Sequence, residues 1–329
     1  MRVLVTGGAG YVGSHAAKAL KAAGFEPVTL DDLRTGHEWA IKYGPFERGA
    51  IEDRPFVRRL IDQYEVEAVM HFAASAYVRE SLLAPEKYFT NNVAGSAALL
   101  DACVASGRVR AFVFSSTCAV YGVPDATPIV EGARTAPISP YGESKLIVEK
   151  MLAWCGKIHA MPWAALRYFN AAGGDPDGEI GEVHEPETHI IPLLLDAARG
   201  GPPVTLLGRD HATKDGSPIR DYIHVSDLAD AHVRCLRYLL DGGPSRAFNL
   251  GTGKGVSVLE VLRAVEAIVG PVPIVTGPRS PGDPPVLVAD AEAAARTLSW
   301  TPSRSDLESI IHTAARWHAS RPSPRRHTR

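Results

Sequence analysis

Met1-Arg2-Val3-Leu4-Val5-Thr6-Gly7-Gly8-Ala9-Gly10-Tyr11-Val12-Gly13-Ser14-His15 opens the chain, and its reading decides the fold. A short apolar run ends in glycines at 7, 10 and 13, and an alanine- and leucine-rich run follows. That order reads as strand, tight turn, helix. Glycine permits positive φ and lets backbone approach a ligand closely. The start of the following helix offers unpaired N–H groups and a positive dipole end to a pyrophosphate. The motif therefore points to a dinucleotide site, while a glycine-rich turn also serves plain helix–strand packing as the lesser alternative.

Working outward, apolar strand-like runs alternate with helix-like runs. The spacing predicts a helix over Ser14–Ala23, closed by Gly24, and a strand over Pro27–Leu30 ending at Asp31-Asp32. Further strands are expected at Ala68–Phe72, Ala111–Phe114 and Trp163–Tyr168. Continuous apolar strands separated by helices indicate a parallel sheet covered on both faces, so a doubly wound α/β Rossmann-type sheet is expected. Asp31 lies where that architecture places an acidic residue on the adenosine ribose; it favours NAD over NADP, and Asp32 adds a second negative charge. Asp31 as a simple loop cap is the plainer alternative.

Beyond Gly173-Gly174-Asp175-Pro176-Asp177-Gly178 proline and glycine become frequent, which marks a smaller, looser C-terminal domain. The expected division is 1–175 and 176–329, with 219–251 partly returning to the first part through Asp221–Val225 and Ala247–Leu250. Ser257–Val269 reads as an amphipathic helix that Ser257 caps, and Leu307–Trp317 as the last helix. Gly251-Thr252-Gly253-Lys254-Gly255 imitates a phosphate loop, but Lys254 precedes glycine rather than Ser or Thr, so a tight turn is expected.

The 329 residues carry a formal net charge of −2, with 45% hydrophobic and 22% charged residues, so a basic footprint for nucleic acid is absent. The basic end, over 320–329, reads as a frayed tail. Four scattered cysteines, Cys103, Cys118, Cys155 and Cys235, argue against a disulfide framework or a zinc cluster, and no metal is expected. No apolar run approaches membrane-spanning length, and the strand beginning at Met1 leaves no room for a signal peptide. A cytoplasmic protein is expected, with no nucleic-acid or membrane partner.

Pro140-Tyr141-Gly142-Glu143-Ser144-Lys145 places a phenol and an ammonium at i and i+4, on one side of a helix. An ammonium beside a phenol favours phenolate and predicts a Tyr141 pKa lowered toward neutrality, which suits a general acid and base. An ordinary aromatic–lysine pair is the alternative. Phe112-Val113-Phe114-Ser115-Ser116-Thr117 supplies a hydroxyl, Thr117, at the carboxyl end of a strand, where ligands bind in such sheets; Ser115 and Ser116 are candidate strand-end caps.

With these residues in place, the chain resembles the extended short-chain dehydrogenase/reductase superfamily, and within it the UDP-galactose 4-epimerase family, to about Trp317. The resemblance rests on Gly7 to His15, His71-Phe72-Ala73-Ala74, Asn91-Asn92-Val93, Tyr141 to Lys145, Arg167-Tyr168-Phe169-Asn170 and Lys214 to Val225. It implies catalysis by Thr117, Tyr141 and Lys145. Tyr141 would remove the sugar 4-OH proton while C4 passes hydride to tightly held NAD⁺, and hydride would return to the opposite face of the 4-keto sugar. NAD would be held by Gly7, Gly10, Tyr11, Val12, Gly13, Asp31, Asp32, Ile51, Phe72, Ala73, Ala74, Asn91, Ser116, Tyr141, Lys145 and Tyr168. The UDP-sugar would be held by Thr117, Tyr141, Asn170, His189, Ile190, Arg220, Arg279 and Asp283.

Ala50, Ala76 and Ser280 depart from residues common in the family, and Leu287, aligned with a gate for N-acetylated sugars, settles nothing. UDP-N-acetylhexosamine, UDP-xylose/arabinose and UDP-glucuronate remain alternative substrates, and a non-catalytic NAD-binding sensor is a further alternative. A homodimer through helices near Val93–Ser106 and Ser144–Trp154 is implied, although their apolar faces also suit packing on the sheet.

Overall fold

The computed structural model describes residues 1–279 and 283–320. The Ser280 departure and residues 321–329 of the expected tail lie outside the described residues. The first half supplies β1 (Arg2–Thr6), β2 (Glu26–Asp31), β3 (Phe46–Arg48), β4 (Ala68–His71), β5 (Ala111–Thr117) and β6 (Trp163–Tyr168). The second half supplies β7 (Asn170–Ala172), β8 (Val204–Leu207), β9 (Ile219–Arg220), β10 (Tyr222–His224), β11 (Arg246–Leu250), β12 (Val256–Ser257), β13 (Ile274–Gly277) and β14 (Val286–Leu287).

Helices α1 (Tyr11–Ala22) and α2 (Arg54–Gln63) follow the first strands, and the short α3 (Val78–Ser81) and α4 (Pro85–Tyr88) follow β4. A π-helical stretch, Phe89–Ala94, leads into α5 (Gly95–Ser106). The remainder are α6 (Pro140–His159), α7 (Ile190–Ala198), α8 (Val225–Leu240), α9 (Val258–Val269), α10 (Glu292–Leu298) and α11 (Leu307–Ser320).

Seven strands form one parallel sheet in the order β11-β6-β5-β4-β1-β2-β3. The apolar run of β1 explains its central place, because alternate residues face opposite cores. Val3 and Val5 pack with Ala16 and Leu20 of α1 and Leu228 of α8, whereas Leu4 packs with Leu60 of α2, Leu99 of α5 and Val148 of α6. The expected doubly wound sheet is therefore present, and its order reverses between β1 and β4, the switch point at which such sheets bind ligands. A third apolar cluster joins α7, α9 and α11 to Val204 and Leu206 of β8.

Several expectations shift in detail. Helix α1 begins at Tyr11, not Ser14, because extended Gly10 is its N-cap and Gly13 already lies in its first turn. Strand β5 continues through Ser115, Ser116 and Thr117, all buried. Helix α9 carries the expected Ser257 cap, which is reciprocal with Glu260. Helix α11 runs on to Ser320, so the expected tail does not begin at 320.

The segment Asp221–Val225 does not return to the main sheet. Strand β11 takes the open edge of β6, so β10 pairs instead with β7 in a separate two-stranded sheet. Asp221 just before it is fully buried and explains the glycine-rich turn at 251–255. Its carboxylate accepts from the Thr252 N–H (2.8 Å), the Gly253 N–H (3.0 Å) and the Ala289 N–H (3.1 Å). The amides of that turn thus bind a carboxylate of the protein itself.

Behind β5, Arg167 of β6 donates to Glu149 of α6 through Nε (2.9 Å) and Nη2 (2.5 Å), and both side chains are under 10% exposed. Removing one partner of such a pair strands a buried charge and costs about 3–5 kcal/mol. Glu149→Ala is therefore expected to lower the urea midpoint by that equivalent with an unchanged m value. A loss below about 1 kcal/mol, the value of a solvated surface pair, would contradict the burial argument.

Candidate active site

The glycine turn lies where β1 and β4 end side by side. The N–H groups of Phe72 and Ala73 both donate to the Thr6 carbonyl, at 2.9 and 3.1 Å, bringing that chain against Gly7. Gly7 has φ +73°, and a Cβ there would lie 2.5 Å from the Ala73 nitrogen. A Cβ on Gly13 would lie 2.2 Å from the Gly7 carbonyl oxygen. Both positions are glycine for want of space. The Gly10 N–H closes the turn on the Gly7 carbonyl at 3.1 Å, and the first amides of α1, from Tyr11, Val12 and Gly13, have no acceptor within the helix. This cradle, which any side chain would fill, fits a dinucleotide pyrophosphate.

Asp31 ends β2 beside the turn. Its Oδ2 accepts from the Ala9 N–H (3.0 Å) and its Oδ1 from the Leu33 N–H (2.9 Å). Each carboxylate oxygen keeps a further lone pair for a ribose hydroxyl. Burial raises its pKa, opposed by those two amides. Asp31 thus braces the loop and still has acceptor capacity for a ribose hydroxyl, so the two sequence readings are compatible.

Asp32 does not supply a free second charge. Arg34 clasps it through Nε at 2.6 Å and also reaches the Asn91 Oδ1 at 2.8 Å. Asn91 is further bonded to Asn92 (3.0 Å), so its amide is engaged within the protein. Ile51 is 4% exposed and belongs to the apolar cluster that includes Leu99 and Leu100. Gly49, just before the Ala50 departure, donates to the Asp31 carbonyl at 3.1 Å. Phe72 packs on His232, with ring centroids 4.8 Å apart, and Ala74 is partly buried after it.

The Thr117, Tyr141 and Lys145 side chains meet at the carboxyl end of β5. Ser139 caps α6, its hydroxyl accepting from the Gly142 N–H at 3.2 Å, which sets Tyr141 in the first turn and Lys145 one turn later. The Thr117 hydroxyl, which accepts from the Ala119 N–H at 3.1 Å, lies close enough to the Tyr141 phenol to act on its ionisation. Lys145, 3% exposed, donates to the Ser115 carbonyl at 2.8 Å, with its Nζ 6.0 Å from the centre of the Tyr141 ring.

The expected lowering of the phenol is not found. Burial, followed by the neighbouring Tyr168, pushes Tyr141 above its ordinary value, while the nearby Thr117 hydroxyl pulls it down only in part. Burial also lowers Lys145 to about 7, against the opposing charge of Glu149. Burial penalises either charge alone, whereas phenolate and ammonium together compensate each other. The pair is therefore able to pass between neutral and zwitterionic forms without changing its net charge.

The period of the strand separates the two serines that end β5. The Ser116 hydroxyl points to the opposite face of β5 and donates to Glu149 Oε1 at 2.5 Å, so it is occupied away from the cleft. Ser115 lies on the same face as Thr117, and sequence reading gave it no contact here: its hydroxyl shares a hydrogen bond with the Tyr168 phenol, and its carbonyl holds Lys145.

Arg220, Arg279 and Asp283 come together: Arg220 Nη2 donates to Asp283 Oδ1 at 2.6 Å, and Arg279 to the Asp283 carbonyl at 2.9 Å. The Arg220 charge also acts on the Cys118 thiol, next to Thr117. Asn170 leads β7, its N–H donating to the Asp221 carbonyl at 3.0 Å. His189 caps α7, which begins at Ile190, and makes its side-chain contacts elsewhere, with Glu182 and Glu187. Tyr11 reaches across to the second half, donating to the Gly173 carbonyl at 2.6 Å.

Gly13→Ala is expected to retain the fold and lose about tenfold or more in NAD affinity, from 1–3 kcal/mol of overpacking in the turn. Unchanged NAD content on purification would contradict the contact. A second expectation concerns Lys145, whose folded pKa of about 7 lies below its unfolded value of 10.5. Between those values the unfolded chain holds a proton that the folded chain lacks, so this group makes stability rise with pH across that window. Lys145→Met should remove that rise in urea titrations of cofactor-stripped protein; an unaltered pH slope would contradict it.

The model of the NAD dependent epimerase/dehydratase family matches residues 3–251. The chain is 46% identical to a UDP-glucose 4-epimerase of Lacticaseibacillus casei over 325 residues, covering 98% of each chain. It is 48% identical to one of Rhizobium meliloti over 321 residues, covering 97% of each. A crystal structure of the Brucella ovis UDP-glucose 4-epimerase in complex with NAD superposes with a TM-score of 0.93 at 48% identity, covering 95% of this chain and 97% of that one. With its parallel sheet, its glycine cradle and its Tyr141–Lys145 pair, the chain belongs to the NAD dependent epimerase/dehydratase family.

Proposed function

We propose that the protein is a UDP-glucose 4-epimerase that interconverts UDP-glucose and UDP-galactose with NAD held in the glycine cradle. The observation that carries this reading is the meeting of Thr117, Tyr141 and Lys145 at the carboxyl end of β5, one strand from the switch point. Residues 1–175 with β11 hold the cofactor, and 176–329 the UDP-sugar. Gly7, Gly10, Tyr11, Val12 and Gly13 receive the pyrophosphate, and Asp31 takes the ribose hydroxyls. NAD⁺, when bound, supplies an oxidising carbon for the hydrogen and electron pair at the sugar C4.

The chain's own work is on the proton and the substrate. Tyr141 Oη accepts the 4-OH proton and returns it after the sugar has turned, as general base and then general acid. Thr117 Oγ1 orients the phenol and the reacting hydroxyl. Lys145, anchored on the Ser115 carbonyl, sustains the phenolate as its counter-charge. Arg220 meets the diphosphate by charge-assisted hydrogen bonds, with Arg279 and Asp283 completing that end. Asn170, His189 and Ile190 line the remaining substrate surface.

The protein acts as a homodimer through α5 and α6. Trp154 and Ile158 of α6 are 61% and 66% exposed, which supports an apolar partner surface on that helix. Work in the cytoplasm suits four free cysteines and the absence of any membrane-spanning helix among the described residues.

Tyr141→Phe is expected to purify with NAD bound while UDP-galactose turnover falls by about a hundredfold or more. Wild-type activity in that variant would overturn the assignment of Tyr141. Assays of UDP-glucose, UDP-N-acetylglucosamine, UDP-xylose and UDP-glucuronate without added NAD test the substrate. Preference for any of the last three would replace the hexose reading with that alternative, and inactivity on all four with NAD bound would favour a sensor.

A further inference from the structure

We propose that Glu182, His184, Glu187 and His189 form a binding site for one divalent transition-metal ion of the zinc type, on the loop beside the glycine cradle. One ligand atom from each of these side chains, all drawn from residues 182–189, lies within 4.8 Å of the other three. His189 Nδ1 is 2.9 Å from an oxygen of Glu182 and 2.9 Å from one of Glu187. His184 Nδ1 stands 3.3 Å from Glu182 and 3.6 Å from Glu187. Four ligands in a tetrahedron around zinc, with bonds of about 2.0–2.1 Å, stand roughly 3.3 Å apart. The four His–Glu separations straddle that value, and the widest separation in the group, up to 4.8 Å, closes by more than an ångström around an ion.

An independent observation concerns His184. Its Nδ1 is buried and makes no hydrogen bond, although it faces both carboxylates. Buried polar atoms in native proteins find partners, and a metal ion among these four groups satisfies this one. The charges also balance: two carboxylates around two neutral imidazoles carry −2, which a divalent cation cancels. Imidazole nitrogen and carboxylate oxygen are both among the ligand types that zinc takes, and four of them suit its tetrahedral preference. The sequence expectation of no metal rested on scattered cysteines, and this donor set contains none.

The position gives the ion a task. Trp317 Nε1 donates to the Glu182 carbonyl at 3.1 Å, and His37 Nε2 lies 3.2 Å from the Val183 carbonyl oxygen. The His184 ring meets Tyr11 edge-on at 6.3 Å and Tyr77 at 6.0 Å. Tyr11 opens α1, so the ion fastens the 182–189 loop against the cofactor cradle. Because His189 ligates through Nδ1, its Nε2 stays available to substrate. The inference stands on this geometry and is independent of the epimerase reading.

The test is a titration of chelator-stripped, NAD-containing protein with Zn²⁺ against a chromophoric chelator, and with Co²⁺ followed by its visible spectrum. The expected results are one equivalent per chain, the intense ligand-field bands of four-coordinate cobalt, release of protons held by the imidazoles, and a higher Tm with zinc. His184→Ala and Glu187→Gln should each weaken Zn²⁺ affinity by more than about a hundredfold, since even outer partners of a ligand matter by 10–100-fold. Absence of stoichiometric Zn²⁺ binding by the wild-type protein, a cobalt spectrum like that of the aqua ion, or equal affinity in both variants would overturn the proposal. The wild-type titration decides even if a variant fails to fold.

Discussion

At Gly7 there is room for a hydrogen atom and nothing larger, and the arrangement of the site depends on that constraint. The backbone of Ala73 fills the space a side chain would need, because Phe72 and Ala73 are both tied to the Thr6 carbonyl. Two adjacent strands thereby deliver their carboxyl ends to one place, and α1 starts there with its amides free. The next strand, β5, ends in Thr117, and α6 returns over it to supply Tyr141 and Lys145. A larger residue at Gly7 or Gly13 would separate the cofactor turn from this chemistry.

Burial sets the character of the site more than any single ion pair. It raises Tyr141, lowers Lys145 to about 7 and raises Asp31, each against opposing contacts. Where a buried charge is fully matched, it serves the frame instead. Glu149 holds Arg167 behind β5, Asp221 gathers the 251–253 turn, and Asp227 accepts from the N–H groups of Ser303 (3.1 Å) and Arg304 (2.9 Å). The Glu182–His189 loop belongs to neither group. Its two carboxylates face two imidazoles, yet His184 Nδ1 lacks a hydrogen bond.

What was legible in the sequence is what local pattern encodes. The apolar run of β1, the glycine spacing, β6 and the Ser257-capped α9 need no distant partner to be recognised. Thr117, Tyr141 and Lys145 were legible because a strand end and an i,i+4 spacing determine where they point. Strands β3, β8, β9, β12, β13 and β14 are two to four residues long and exist through pairing with distant chain, so no local signal marks them. Asp221–Val225 misled for the same reason: its strand character is real, but only the occupation of the β6 edge by β11 decides its partner. Telling Ser115 from Ser116 required the strand's register against α6. The raised Tyr141 and the Asp32–Arg34 clasp depend on burial and rotamers, which spacing does not carry.

The central claim is that the oxidant is retained and the C4 hydrogen never leaves the site. Incubating purified protein with UDP-galactose deuterated at C4, without added NAD, tests it directly. The account predicts UDP-glucose that keeps the deuterium at C4, formed at a rate that added NAD does not raise. Loss of that deuterium to water, or turnover that requires added NAD, would contradict it.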